Sequence, residues 1–190
     1  MKFQNRYYIL RHGQTIYQTK KKDMIYPQGD KSKVGLTKEG IKKISLAAKR
    51  LKTIGIDLIY SSDFYRTRQT AKIVNKKLGL KEIVFDKRLR DVNLGIYCGG
   101  KKEDFRRDFS SGILRFSKRP SGGENWQDVQ KRTLKFLKEI DKKHQRKTIL
   151  IISHGDPLWL LERRVRGLPP YSFIKSLKAN YIQPGELRKL

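Results

Sequence analysis

Apolar positions follow two alternating rhythms along this chain. Short runs rich in Ile, Val, Leu and Tyr at 7–10, 58–60, 83–85 and 149–152 predict β-strands. Between them the spacing changes to three and four. Over 37–51, Ile41, Ile44, Ala48 and Leu51 mark one helical face, and Thr37 is suited to cap its start. A second helix is predicted over 65–78, closed by Gly79, and a third from near Glu124, where Trp126, Val129, Phe136, Leu137 and Ile140 share a face. A fourth begins at Pro157, a favourable first-turn residue, and ends near Gly167.

Strands alternating with helices imply an α/β fold: a three-layer α/β/α sandwich around a mostly parallel central sheet. A length of 190 residues suits a single domain spanning 1–190. The segment 95–123 is charged, glycine-rich and aperiodic, and is expected to be an insertion or mobile cap over one end of the sheet.

Composition removes several classes. No apolar stretch reaches the roughly 18 to 20 residues of a membrane span, and the first residues lack a signal-peptide core, so a soluble, cytoplasmic protein without membrane partners is expected. Cys98 is the only cysteine, which excludes intrachain disulfides and multi-cysteine zinc sites. The 45 Lys and Arg against 18 Asp and Glu give a net charge of +27, enough to attract polyanions at low salt. These charges are scattered in pairs and triplets and do not form one arginine-aromatic stripe, so nucleic acid stays open as a partner without being favoured.

Three polar clusters follow predicted strands: Arg11, His12 and Gly13; residues 61–71; and residues 153–157. In α/β sheets ligands bind beyond the carboxyl ends of strands. If these strands are parallel neighbours, Arg11, His12, Arg66 and His154 meet at one mouth, where like charges repel unless an anion sits among them. Guanidinium groups match phosphoryl oxygens, and a helix starting after His154 adds backbone donors. Each tripeptide alone is a weak signal; their joint placement is the strong one. Arg68 is read as solvent-facing and His144 as an exposed loop residue.

At LRHGQT, LTKEG, DLIYSSDFYRTRQTA, PSGGE and ILIISHG, in that order, the sequence resembles the histidine phosphatase superfamily, in its phosphoglycerate-mutase-like branch. The resemblance covers nearly the whole chain. It implies that His12 is a nucleophile that becomes phosphorylated, that Arg11, Arg66 and His154 cradle the phosphoryl group, and that neither metal nor cofactor is used. A protonated His154 is expected to help the arginines stabilise the charge. Gln18 stands where relatives tend to have asparagine contacting phosphate, and Thr15 and Gly155 are expected as secondary phosphate contacts. Asp91, in RLRDVNLG, stands where this branch usually has a longer glutamate as proton donor; Glu103 is the fallback, and pairing of Asp91 with Arg88 or Arg90 is the structural alternative. Glu124 either orients an arginine or caps its own helix.

The expected activity is metal-independent hydrolysis of a small phosphorylated metabolite. Two alternatives stay open: mutase-type phosphoryl transfer, for which the chain is short, and polyanion binding on a weakened phosphatase scaffold. Specificity is expected to lie around Ile16, Tyr17, 24–26 and 95–120.

Overall fold

The computed structural model describes residues 2–27, 29, 33–168 and 180–190. Its sheet has five strands, β1 (Arg6–Arg11), β2 (Leu58–Ser61), β3 (Val84–Phe85), β4 (Thr148–Ser153) and β5 (Leu187–Lys189), in the order β3-β2-β4-β1-β5. Pairings β1–β4, β2–β4 and β2–β3 are parallel, and only β5 runs antiparallel, against β1.

β4 is buried along its whole length, and its side chains alternate between the two cores as strand geometry requires. Ile149 and Ile151 face α5 (Trp126–Lys143) and α6 (Gly155–Val165), where Phe136, Leu137, Leu158 and Leu161 complete that layer. Leu150 and Ile152 face α1 (Lys38–Ile54) and α2 (Tyr65–Leu78), packing with Ile44, Leu51, Ala71 and Val74. Each fully buried aliphatic side chain contributes about 1.5–3 kcal/mol of transfer free energy, so the sandwich is held mainly by its two apolar seams. The three-layer architecture is the expected one.

The helices stop where their chemistry dictates. Thr37 accepts a hydrogen bond from the Gly40 amide, as a cap should, and α1 ends at Gly55 with φ +75°. In α5 the cap is Asn125, in a reciprocal box with Asp128. α6 starts at Gly155, two residues before the expected Pro157.

Residues 95–123 are more ordered in their contacts than an aperiodic segment suggests. They carry α3 (Lys102–Asp108) and α4 (Gly112–Ser117), with the rings of Phe105 and Phe109 stacked at 4.8 Å and Tyr97 set edge-on against both. The Ile25 amide donates to the Gly100 carbonyl and the Lys102 amide to the Asp23 carbonyl, tying this segment to the loop after β1.

Candidate active site

Register places the chemistry. Arg11 at the end of β1 pairs with Ser153 at the end of β4, and Ser61 at the end of β2 pairs with Ile152. The strands end level, so His12, Ser62 and His154 leave the sheet side by side; the His12 amide donates to the Ser153 carbonyl and that of Ser62 to Ile152. The mouth above them is a cavity of about 780 Å³ lined by Arg11, Arg66, Asp91 and Gly155 on the sheet side and by Lys102, Arg106 and Arg115 from 95–123.

His12 is 1% exposed. Its Nδ1 lies 2.8 Å from the Gly13 carbonyl oxygen, which can only accept, so Nδ1 carries the proton and Nε2 keeps its lone pair. Burial, then the charges of Arg66 and Arg11, hold its pKa well below the ordinary histidine value. The ring is therefore neutral at pH 7.

Arg66, buried at the second position of α2, is held on all sides. Its guanidinium lies over the Tyr26 ring at 4.0 Å, Nε donates to His154 Nδ1 at 3.2 Å, and Nη2 pairs with Asp91 Oδ2 at 3.0 Å. Arg11 donates from Nη1 to the Ile182 carbonyl at 2.8 Å, while its buried Nε has no hydrogen-bond partner among the described residues. A phosphoryl oxygen is the kind of acceptor that this nitrogen needs.

His154 lies beside His12, with ring centroids 5.2 Å apart. The expectation that it is protonated fails. Arg66 Nε has only a proton to offer, so Nδ1 must accept, and the Asp91 oxygen 3.6 Å away is beyond hydrogen-bond reach. The ring is neutral, and its Nε2–H points at Ser62 Oγ 2.9 Å away; burial and then Arg66 keep its pKa well below the ordinary value.

Asp91 pairs with Arg66, whereas Arg88 is engaged by Asp86 and Glu139, and Arg90 by Asp63. The expected structural alternative for Asp91 is thus displaced. Burial raises its pKa above the ordinary carboxylate range; Arg66 opposes the rise and Asp156 adds to it. Glu103 is exposed and does not line the cavity. Glu124 grips Arg132 through both oxygens, at 2.8 and 3.0 Å, and Arg132 in turn donates to the carbonyls of Arg88 and Asp91. Of its two expected roles Glu124 has the first, while Asn125 caps the helix.

Residues 7–181 match the family described as Histidine phosphatase superfamily (branch 1). The chain belongs to this superfamily. This histidine phosphatase is 32% identical over 172 residues to a protein described as probable phosphoglycerate mutase GpmB of Escherichia coli O1:K1 / APEC, covering 87% of this chain and 76% of that one. Its fold is similar to that of YhfR from Bacillus stearothermophilus, with TM-score 0.80, 26% identity and coverage of 96% and 89%. A mycobacterial glucosyl-3-phosphoglycerate phosphatase solved with VO3 superimposes with TM-score 0.81, 25% identity and coverage of 97% and 92%. The chain is an enzyme of the histidine phosphatase type.

Other expected contacts of this histidine phosphatase have different surroundings. Thr15 is fully buried and caps the turn Ile16–Gln18, with its hydroxyl 2.6 Å from Tyr26 Oη. Gln18 lines the cavity, but its Oε1 accepts from the Thr15 amide and its Nε2 donates to Tyr26 Oη. Both therefore brace Tyr26, the platform under Arg66. Tyr26 gave no periodic signal, being one aromatic in a loop. Gly155 lines the cavity at the start of α6, where a Cβ would clash with Tyr181 Oη. Tyr181 donates to Asp156 Oδ1 at 2.6 Å and lies under Arg11, a contact that spacing alone does not show. Arg68 is exposed as expected, but His144 is half-buried, with Nε2 2.8 Å from Tyr60 Oη. Among the described residues no group of three His, Cys, Asp or Glu could hold a metal ion, and no helix is long and apolar enough to cross a membrane.

Proposed function

We propose that this enzyme hydrolyses phosphomonoesters of a small cytoplasmic metabolite through a phosphohistidine on His12, without a metal ion. One observation carries the reading: Nδ1–H of His12 is held on the Gly13 carbonyl, which leaves the Nε2 lone pair for attack between two arginines. Nε2 bonds to phosphorus, the P–O ester bond breaks, and the leaving alkoxide takes a proton from Asp91. Water then attacks phosphorus, Asp91 takes a proton from that water, and the P–N bond breaks to release phosphate. Arg11 and Arg66 supply the positive charge that the equatorial oxygens need, in place of a metal. His154 keeps Arg66 aligned through Nδ1, and Gly155 presents its amide at the helix start. Residues 95–123 form the cap of a single catalytic domain.

The raised pKa of Asp91 supports its role as acid, since a group that stays protonated nearer neutrality can donate. The test is hydrolysis of p-nitrophenyl phosphate and of sugar and nucleotide phosphates in EDTA, with His12→Ala as control. Activity that survives His12→Ala, or that requires a divalent ion, contradicts the reading. The likeness to the protein described as a probable mutase favours a second reading, phosphoryl return to the product. Phosphate release measured against isomerisation of 3-phosphoglycerate separates the two.

A further inference from the structure

A second cleft of about 560 Å³ opens beside the first and shares Arg11, Tyr17, Gln18 and Lys102 with it. Particular to it are Gln14, Lys22, Lys43, Gln183 and Pro184, with Glu39 as the single lining acid among the described residues. Among the described residues none of Lys22, Lys43 and Lys102 makes an ion pair, although carboxylates elsewhere on this surface are taken by arginines. Glu186, a carboxylate that feels the charge of Lys43, is bound by Arg188 and the Gln183 amide. Lys102 Nζ donates to the Lys22 carbonyl, and Lys43 packs its stem along Gly185, so the rim lysines are carried by the backbone of three separate segments. Arg11 lies at the junction, with its buried Nε unpartnered among the described residues.

We propose that this cleft is a second anion site, continuous with the catalytic cavity, that takes a phosphate group. Four cations face one acid across a space large enough for a phosphate, and side-chain amides of Gln14, Gln18 and Gln183 stand among them. A ligand with phosphates in series spans both clefts through Arg11: one phosphate lies at His12, and the next lies between Lys22 and Lys43. This specificity rests on the proposed phosphatase reading for the first phosphate; the second site is distinguished by Lys22 and Lys43, which do not line the first cavity.

The test is calorimetric binding of tripolyphosphate and orthophosphate to the His12→Ala protein, which does not depend on turnover. It is done at about 0.15 M salt, where the Debye length is about 8 Å and diffuse attraction is screened. Tripolyphosphate is expected to bind at least about tenfold more tightly than orthophosphate, and Lys22→Ala with Lys43→Ala to remove that advantage, since a charge-assisted hydrogen bond is worth about that factor. The same double substitution in the parent protein should leave hydrolysis of p-nitrophenyl phosphate unchanged. Two orthophosphates bound per chain, falling to one in the double variant, would equally support the site and assign it to a separate phosphate ion. Equal affinities for the two anions with one orthophosphate per chain overturn the inference. So does a loss matched by Lys135→Ala with Lys138→Ala, which removes equal charge from α5. If hydrolysis fails the His12 test while these affinities hold, the phosphatase reading falls and the second site remains.

Discussion

At the scale of single residues, the site is an arrangement of protonation states. His12 must be neutral to attack and Asp91 protonated to donate, and the environment shifts the two in the required directions. The sign of the pH dependence follows. Activity falls at low pH only when His12 gains a proton, well below the ordinary value near 6.5, and falls at high pH as Asp91 loses its own. An acidic optimum is expected, and a kcat profile on a sugar phosphate checks it; a rate still rising above neutral pH contradicts the assignment. Asp91→Asn should lower kcat by about 100-fold on an alkyl phosphate and by much less on p-nitrophenyl phosphate, whose leaving group needs no proton. Loss by the same factor on both substrates would instead mark Asp91 as a holder of Arg66. The two histidines were legible in the sequence because each directly follows a strand, and the two arginines because Arg11 ends β1 and Arg66 lies in the polar cluster after β2. Tyr26 and the tautomer of His154 were not, because one depends on stacking and the other on which neighbour offers a proton.

The elements set how well these residues are held. Arg132 on α5 reaches back to the carbonyls of Arg88 and Asp91 and is clamped by Glu124, so a helix outside the sheet mouth fixes the loop that carries the acid. Glu124→Gln should lower kcat by up to about 100-fold, the effect of misplacing a catalytic group by about 1 Å, with inhibition by orthophosphate little changed. A parallel rise in the phosphate inhibition constant would mean that the whole mouth has loosened. Gly155→Ala should weaken phosphate binding, because the new Cβ forces Tyr181 away from under Arg11. The long strands and helices were legible from periodicity, to within a few residues at their ends. β5, α3 and α4 were not: each is short, and β5 is an antiparallel edge placed by its partner β1.

For the whole molecule, two properties follow from what is buried and what is not. His12 and His154 are neutral and buried, and in the unfolded chain both take protons near pH 6.5. Below that pH the unfolded state binds more protons, so stability falls with falling pH by up to about 1.4 kcal/mol per unit for each histidine. Asp91, raised in the fold, opposes this wherever it keeps a proton that the unfolded chain has lost, as one group against two. Thermal unfolding between pH 7 and 5 without anions checks the slope, and a flat profile contradicts neutral burial. The exposed lysines are spread over α1, α2 and α5, on both helical layers, for example Lys42, Lys72 and Lys138. Nucleic acid should therefore be retained only at low salt and without sequence preference. Composition showed the charge but not its distribution, which depends on how the helices pack around the sheet.

The most direct measurement is mass spectrometry of the protein quenched in alkali during turnover of a phosphomonoester in EDTA. A phosphoryl group on the peptide containing His12, absent from the His12→Ala protein, is the expected result. Turnover with no phosphoryl group on any peptide, or with one on a residue other than His12, would contradict the account.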